Sequence, residues 1–348
     1  MIPLAAATTA GSTGLGTLFT EHGGEAAVNM PSSAPNPGSA ALVFPGQGAQ
    51  TVGMLGDWCD GHPAALELFT RASSILGYDL ADICRHGPAE KLNATSVSQP
   101  AILVTSLAAL EVLKSRDPAL VSGAAITAGL SLGEYTALVF ADALDFDSAV
   151  RVVDVRGRAM QECADKLGTK RGPSGTAAGG MVAVLGMERE QVASLCDECR
   201  GGDVLEVANV LCPGNVVVSG AESACRRLDE AATAAGAMKC VRLEVAGAFH
   251  TVLMQEAVER LAAVLAETTV RSPRIPVVSN VDARPHADPA EIRGLLARQV
   301  CGVVEWHASM TYLLSTGVRT VCEVGPGRVL RGLLKRIDRS VACSGVPE

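Results

Sequence analysis

The sequence predicts an α/β protein: a large domain built on a parallel sheet, interrupted by a small inserted domain with the ferredoxin-like order βαββαβ. Three observations carry that expectation. Between residues 124 and 143 a small-residue strand passes through a sharp Gly-Ser turn directly into a helix, the pattern of alternating α/β folds. Between residues 180 and 246 the chain reads strand, helix, strand, strand, helix, strand. The composition is 48% hydrophobic but only 3% aromatic, so the core must be aliphatic, which favours α/β layers over an aromatic-rich sandwich.

The elements follow in order. Residues 1–40 carry only Glu21 and Glu25 as charges and end in Pro31-Ser-Ser-Ala-Pro-Asn-Pro37. Rich in Ala, Gly, Ser, Thr and Pro and without periodicity, they read as a disordered leader, a remnant of a targeting segment or an unusual one. Order is expected from Ala41-Leu-Val-Phe44, an apolar strand that runs into Pro45-Gly-Gln-Gly-Ala-Gln50. Helices are expected over 62–76 and 99–114, then the strand at 124–129 and a helix over 134–143. A Gly-rich linker at 170–180 introduces the insert, placed at 176–246. Its strands are expected at 181–185, 204–208, 216–219 and 239–245, and its helices at 188–199 and 222–235. The large domain, 41–175, resumes at 247–348 with a helix near 251–268, a strand at 275–279, a helix at 291–300 and a strand at 321–324. A helix over 329–337 is expected to close it.

Composition also excludes. A net charge of −8 offers no global positive field for phosphate backbones, and few aromatics are available to stack bases, so no nucleic-acid partner is expected. No run reaches 18 apolar residues, so no membrane span is expected. Eleven cysteines, an odd number in a chain this long, suit a reducing compartment. Cys196 and Cys199 lie one helical turn apart, but no second Cys or His pair follows at zinc-site spacing, and no metal is expected.

Gly129-Leu-Ser-Leu-Gly133 has the form of a nucleophile elbow, which makes the large domain hydrolase-like. A serine at a tight strand-to-helix turn is pushed outward, and the helix N-terminus supplies donors to an oxyanion. Ser131 needs a base. Of six histidines, His22, His62, His86 and His286 read as solvated. His250, where the insert hands the chain back, is favoured over His307, whose place near a helix start also suits capping or packing. Ala149, Val152, Val153, Arg156 and Met160 share one helix face, so Arg156 sits on an apolar stripe. It either snorkels from the edge or waits in a dry pocket to grip a carboxylate through two parallel hydrogen bonds. The Gly46–Gly48 loop lacks the Lys-Ser/Thr ending of a phosphate loop and can instead expose N–H groups to the nucleophile.

Seven motifs occur together: Phe44-Pro-Gly-Gln-Gly-Ala-Gln50, Gly129-Leu-Ser-Leu-Gly-Glu-Tyr135, Val155-Arg-Gly-Arg158, Asn209-Val-Leu-Cys-Pro-Gly214, Gly247-Ala-Phe-His250, Arg298-Gln299 and Glu323-Val-Gly-Pro-Gly327. Over about residues 41–340 the chain resembles the malonyl-CoA:acyl carrier protein transacylases of type II fatty acid synthesis. The resemblance implies Ser131 as nucleophile and His250 as base, with a backbone carbonyl at Gln299 orienting the imidazole. It implies oxyanion-hole N–H groups at Gln47 and Leu132, and Arg156 on the free carboxylate of malonate. Asn209 borders the cleft, and Phe249 resembles the malonyl-using members. No cofactor is implied: the coenzyme A thioester is substrate, and the phosphopantetheine belongs to the acyl carrier protein partner. A monomer is expected.

Leu130 stands where bacterial members usually have His. With Ala208–Asn215 and Ser272–Asp282, it resembles plastid enzymes of plants and algae. That similarity and the leader place the protein in the chloroplast stroma, the alternative being a bacterial cytoplasm. An acidic carrier needs a local basic face, for which Arg328, Arg331, Lys335 and Arg339, or Lys170 and Arg171, are candidates beside the reading of a solvated surface. Three rivals stay open: a polyketide acyltransferase of the same fold, a serine hydrolase or thioesterase, and a noncatalytic relative. The hydrolase requires a triad acid between Ser131 and His250 and leaves Arg156 unexplained.

Overall fold

A computed structural model describes residues 39–169, 179–245 and 247–347. All but the last two residues of the expected leader, and the linker with Lys170 and Arg171 up to residue 178, lie outside them. Two sheets organise the rest. The first holds β1 (Ala40–Phe44) and β2 (Ala124–Gly129). The second holds β3 (Gly179–Leu185), β4 (Leu205–Cys212), β5 (Asn215–Ala221) and β6 (Lys239–Arg242). The chain then returns to the first sheet with β7 (Val277–Val278), β8 (Thr320–Val324) and β9 (Ala342–Val346).

The large sheet has the order β7-β2-β1-β8-β9 and every pairing in it is parallel. β1 sits at its centre and is buried along its whole length, which explains its unbroken run of apolar residues. In its register Phe44 is paired with Gly129, so the loops leaving β1 and β2 emerge side by side at the carboxyl end of the sheet. Open α/β sheets place their sites at that end. The approach is close: a Cβ on Gly46 would stand 2.2 Å from the Leu130 carbonyl oxygen, and one on Gly133 would stand 2.2 Å from that of Phe44.

The small sheet has the order β4-β5-β3-β6, antiparallel throughout, the ferredoxin-like arrangement expected. Its helices, Arg189–Cys199 and Glu222–Ala234, close a separate core that takes in Cys196, Cys199 and Cys225. Burial pushes the Cys196 thiol up to about 12, so it is packed as a thiol and not poised as a thiolate. β4 is stitched to the large domain through Val210 N–H to Val304 O (3.0 Å) and Val304 N–H to Ala208 O (2.8 Å). That seam carries Asn209 to the cleft between the two sheets.

Several expectations need correction. The helix after the elbow ends at Phe140, not 143, because Asp142 adopts φ 60° and Ala143 N–H turns back to Leu138 O. The expected helix over 251–268 begins as a 3₁₀ turn, Val252–Met254, and becomes α-helical from Gln255. β6 stops at Arg242 and β7 shrinks to two residues. The helix Val329–Ile337 does not close the chain: β9, too rich in small and polar residues to read as a strand, pairs beyond it with β8. The helix Thr95–Arg116 is apolar and long enough to cross a membrane, but it is the buried centre of the large domain.

Candidate active site

Ser131 follows β2 at φ 47°, a left-handed conformation that a non-glycine residue adopts only when its surroundings enforce it. Gly129 and Gly133 make the turn feasible; a Cβ on Gly129 would lie 1.9 Å from the Gly133 carbonyl carbon. Asn280, from the loop after β7, then pins the turn: its Oδ1 accepts from Ser131 N–H (2.6 Å) and its Nδ2 donates to Gly129 O (2.7 Å).

His250 also has positive φ, 61°, and is 5% exposed. Its Nε2 lies 3.0 Å from Ser131 Oγ and its Nδ1 2.9 Å from the backbone carbonyl oxygen of Gln299. A carbonyl only accepts, so Nδ1 carries the proton and Nε2 is left to face the serine. Burial, reinforced by the Arg156 charge and opposed by the Gln299 carbonyl, holds the imidazole down to about 4, a neutral base at ordinary pH.

Arg156 is 1% exposed, which decides between snorkelling and a dry pocket in favour of the pocket. It comes from the helix Phe146–Thr169, and its apolar neighbours Ala149, Val152, Val153 and Met160 are all buried. Nη1 donates to Gln99 Oε1 (2.7 Å), while Nη2 donates to Gln299 Oε1 (3.0 Å) and Ser131 Oγ (3.0 Å). The guanidinium carbon stands 5.5 Å from the centre of the Tyr135 ring. Among the described residues no carboxylate is bonded to it: neutral amides hold the cation in place, and burial lowers its pKa.

Gln47, Asn209, Phe249 and Leu130 join Ser131, His250 and Arg156 around a cavity of about 170 Å³. The backbone N–H groups of Gln47 and Leu132, expected to serve an oxyanion, have no acceptor among the described residues. Leu130 presents an apolar wall there. Sequence reasoning missed Gln99, Asn280, Glu134 and the side chain of Gln299. Glu134 Oε2 accepts from Gln299 Nε2 (2.6 Å) and Asn280 N–H (3.1 Å), and Gln299 Nε2 also donates to Ser131 O (3.0 Å). Only Glu134 left a legible trace, three residues after the serine in the first helical turn.

The other described histidines are apart from this cluster. His86 is exposed against Asp82 and His307 lies in the first turn of the helix Trp306–Ser315. His286, expected in solvent, is 13% exposed and held between Asp282 and Glu291, both at 2.9 Å. On the candidate carrier face Arg328, Lys335 and Arg339 are exposed, but Arg331 is drawn under the helix to Glu323, with 14% of its side chain exposed.

A parallel α/β sheet with a serine–histidine pair at its carboxyl end and a ferredoxin-like insert defines the acyltransferase class, and a family model described as an acyl transferase domain matches residues 41–342. The malonyl CoA-acyl carrier protein transacylase of Escherichia coli (strain K12) is 42% identical over 308 residues, 88% of this chain and 96% of that protein. That of Bacillus subtilis is 38% identical over 311 residues, 88% and 93% of the two chains. A solved structure of the Coxiella burnetii enzyme superimposes with a TM-score of 0.82 at 37% identity, covering 89% of this chain and 94% of the other. A malonyl-transacylase in complex with a type II polyketide acyl carrier protein gives 0.82 and 37%, covering 89% and 96%. The chain belongs to the malonyl-CoA:acyl carrier protein transacylase family.

Proposed function

We propose that the protein moves malonyl from malonyl-CoA to the phosphopantetheine thiol of an acyl carrier protein in two half-reactions through Ser131. In the first, Ser131 Oγ passes its proton to His250 Nε2 and attacks the thioester carbonyl. The C–S bond breaks, and His250 returns the proton to the departing coenzyme A sulfur. In the second, the carrier thiol gives its proton to His250, its sulfur attacks the malonyl ester, and the C–O bond breaks with the proton going back to Ser131. Gln47 and Leu132 N–H groups receive the oxyanion in both halves, where one such donor contributes about 10²–10³ in rate.

The observation that carries this reading is Arg156: a buried guanidinium 3.0 Å from the nucleophile, held by the Gln99 and Gln299 amides and, among the described residues, by no acid. A free malonyl carboxylate would complete it through two parallel hydrogen bonds, and acetyl-CoA brings no such group. Asn209 and Phe249 border the acyl group, and Arg328, Lys335 and Arg339 offer an acidic carrier a basic face next to Val329 on the cavity rim. The protein acts as a monomer and needs no resident cofactor.

Intact-mass measurement tests the scheme: malonyl-CoA alone should leave an adduct of about 86 Da on Ser131, and carrier protein should remove it. An adduct that water removes equally fast would favour a hydrolase. Fatty acid synthesis is the process proposed. The polyketide-type relative gives the second reading, in which a polyketide carrier discharges the adduct and a fatty acid carrier does not. A plastid location rests on Leu130, Ala208–Asn215, Ser272–Asp282 and residues 1–40. The Escherichia coli, Bacillus subtilis and Coxiella burnetii relatives are bacterial and support the bacterial cytoplasm instead, and fractionation of the source cells separates the two.

A further inference from the structure

Glu134 is a buried carboxylate, 4% exposed, with no reacting atom beside it. The proposed acyl transfer gives it no task. Its spacing, Ser131-x-x-Glu134 at a helix start, is that of a capping box, in which the carboxylate would reach back to Ser131 N–H and the serine hydroxyl would be spent on the helix. That box does not form. Asn280 Oδ1 takes the Ser131 N–H instead, which leaves the hydroxyl to His250 and the carboxylate to other donors. On Glu134 Oε2 those donors are Asn280 N–H and Gln299 Nε2, and the Ser279 hydroxyl also faces the carboxyl.

The two donors hold the reacting pair from opposite sides. Asn280 grips the backbone at Gly129 and at Ser131, on either side of Leu130. The Gln299 carbonyl fixes His250 Nδ1 (2.9 Å), and its amide oxygen accepts from Arg156 (3.0 Å). We infer that Glu134 is a positioning residue whose single acceptor oxygen ties the loop that shapes Ser131 to the residue that orients both His250 and Arg156. The direction of the Gln299 amide follows from it: two acceptors, Glu134 Oε2 and Ser131 O, demand the NH₂ on one side, and Arg156 demands the oxygen on the other. Remove the Glu134 oxygen and Gln299 loses its shortest tether while Asn280 N–H is left buried and unpaired. In a serine hydrolase an acid orients the imidazole directly. Here an acid acts one residue removed, through Gln299.

Glu134→Gln keeps an acceptor oxygen at the same reach, and Glu134→Asp keeps the charge but withdraws the oxygen by one methylene. The inference rests on the acyl-transfer reading, so the test uses two probes on the full chain: malonyl-CoA, and phenylmethanesulfonyl fluoride, which sulfonylates an activated serine whatever its natural substrate. For Glu134→Asp, kcat and the Ser131 sulfonylation rate should fall by about 10²-fold, the scale of an ångström of misplacement, with KM within about threefold of the parent. Glu134→Gln should stay within about threefold on all three. A folded Glu134→Asp protein with undiminished rates, or a Glu134→Gln protein as slow as it, overturns the inference. If Ser131 is sulfonylated but never malonylated, the acyl-donor reading fails, and the sulfonylation rates still decide the role of Glu134.

Discussion

His250 Nδ1 and the backbone carbonyl oxygen of Gln299 are 2.9 Å apart, so the proposed base is oriented by a neutral peptide group and not by a carboxylate. A carboxylate would favour the imidazolium by its charge; a carbonyl fixes the tautomer and favours the charged ring much less. With burial and the Arg156 cation both opposing protonation, the ring is held down to about 4.

The pH profile follows. Ser131 acylation by malonyl-CoA should be level from about pH 8 to about pH 6 and fall with a midpoint near 4. Arg156→Ala removes a cation that holds the imidazole down, so its acid limb should move to higher pH. The folded His250 pKa lies below its ordinary 6.5, so its contribution to stability is complete above 6.5 and is lost as pH falls through about 4. Rapid-quench acylation rates measured across this range are the check, and a limb at 6.5 in the parent would mean a solvated imidazole.

Arg156 should control which thioester is used. Arg156→Ala should lower kcat/KM for malonyl-CoA by about 10²–10³-fold, the range for a removed buried charge partner, and change that for acetyl-CoA far less. Arg156→Lys should recover little, because one ammonium cannot span Gln99, Gln299 and a planar carboxylate together. Steady-state kinetics with both thioesters test this, and equal losses on the two would remove the carboxylate assignment.

Gly133 packs against the backbone of the central strand, not against a movable side chain. An added methyl would meet the Phe44 carbonyl oxygen at 2.2 Å and its carbon at 2.8 Å, so Gly133→Ala must part the elbow from β1. A loss of about 1–3 kcal/mol or more is expected, with slower Ser131 acylation at temperatures where the variant stays folded. Chemical denaturation together with adduct formation measures both effects, and an unchanged variant would show that the two loops are not in contact.

The sequence made legible those site residues whose local pattern is unusual. Ser131 stood in a Gly-x-Ser-x-Gly turn, and Arg156 was a charge on an otherwise apolar helix face, so both could be found from their neighbours. Gln99, Asn280 and the Gln299 side chain could not. They lie on separate segments, 149 residues apart for Ser131 and Asn280 and 165 for Glu134 and Gln299, and nothing in their local pattern marks a polar side chain that faces inward. The same divide runs through the fold. The order of the six insert elements was legible because their apolar residues are local and periodic, although β4 runs on to Cys212 and β6 stops at Arg242. β9 did not, because Ala-Cys-Ser-Gly-Val becomes a strand only through its pairing with β8.

The two ends of the Glu134 network can also be separated by stability. Burial pushes this carboxyl from 4.5 up to about 7, against the opposing pull of the Asn280, Gln299 and Ser279 donors and the Arg156 charge. An acid whose folded pKa is raised contributes stability that is complete below 4.5 and is lost as pH rises through about 7. Glu134→Gln keeps an acceptor and has no charge to bury. Its Tm relative to the parent should therefore climb between pH 4.5 and pH 7 and level off above, and titration of His250, common to both proteins, largely cancels in the difference. Glu134→Asp should show no such rise, because it retains an ionising group and loses the hydrogen bonds. A Tm difference between Glu134→Gln and the parent that stays constant from pH 5 to pH 8 would show that Glu134 ionises in the folded protein as it does in the unfolded chain, and burial would then no longer account for its place in the network.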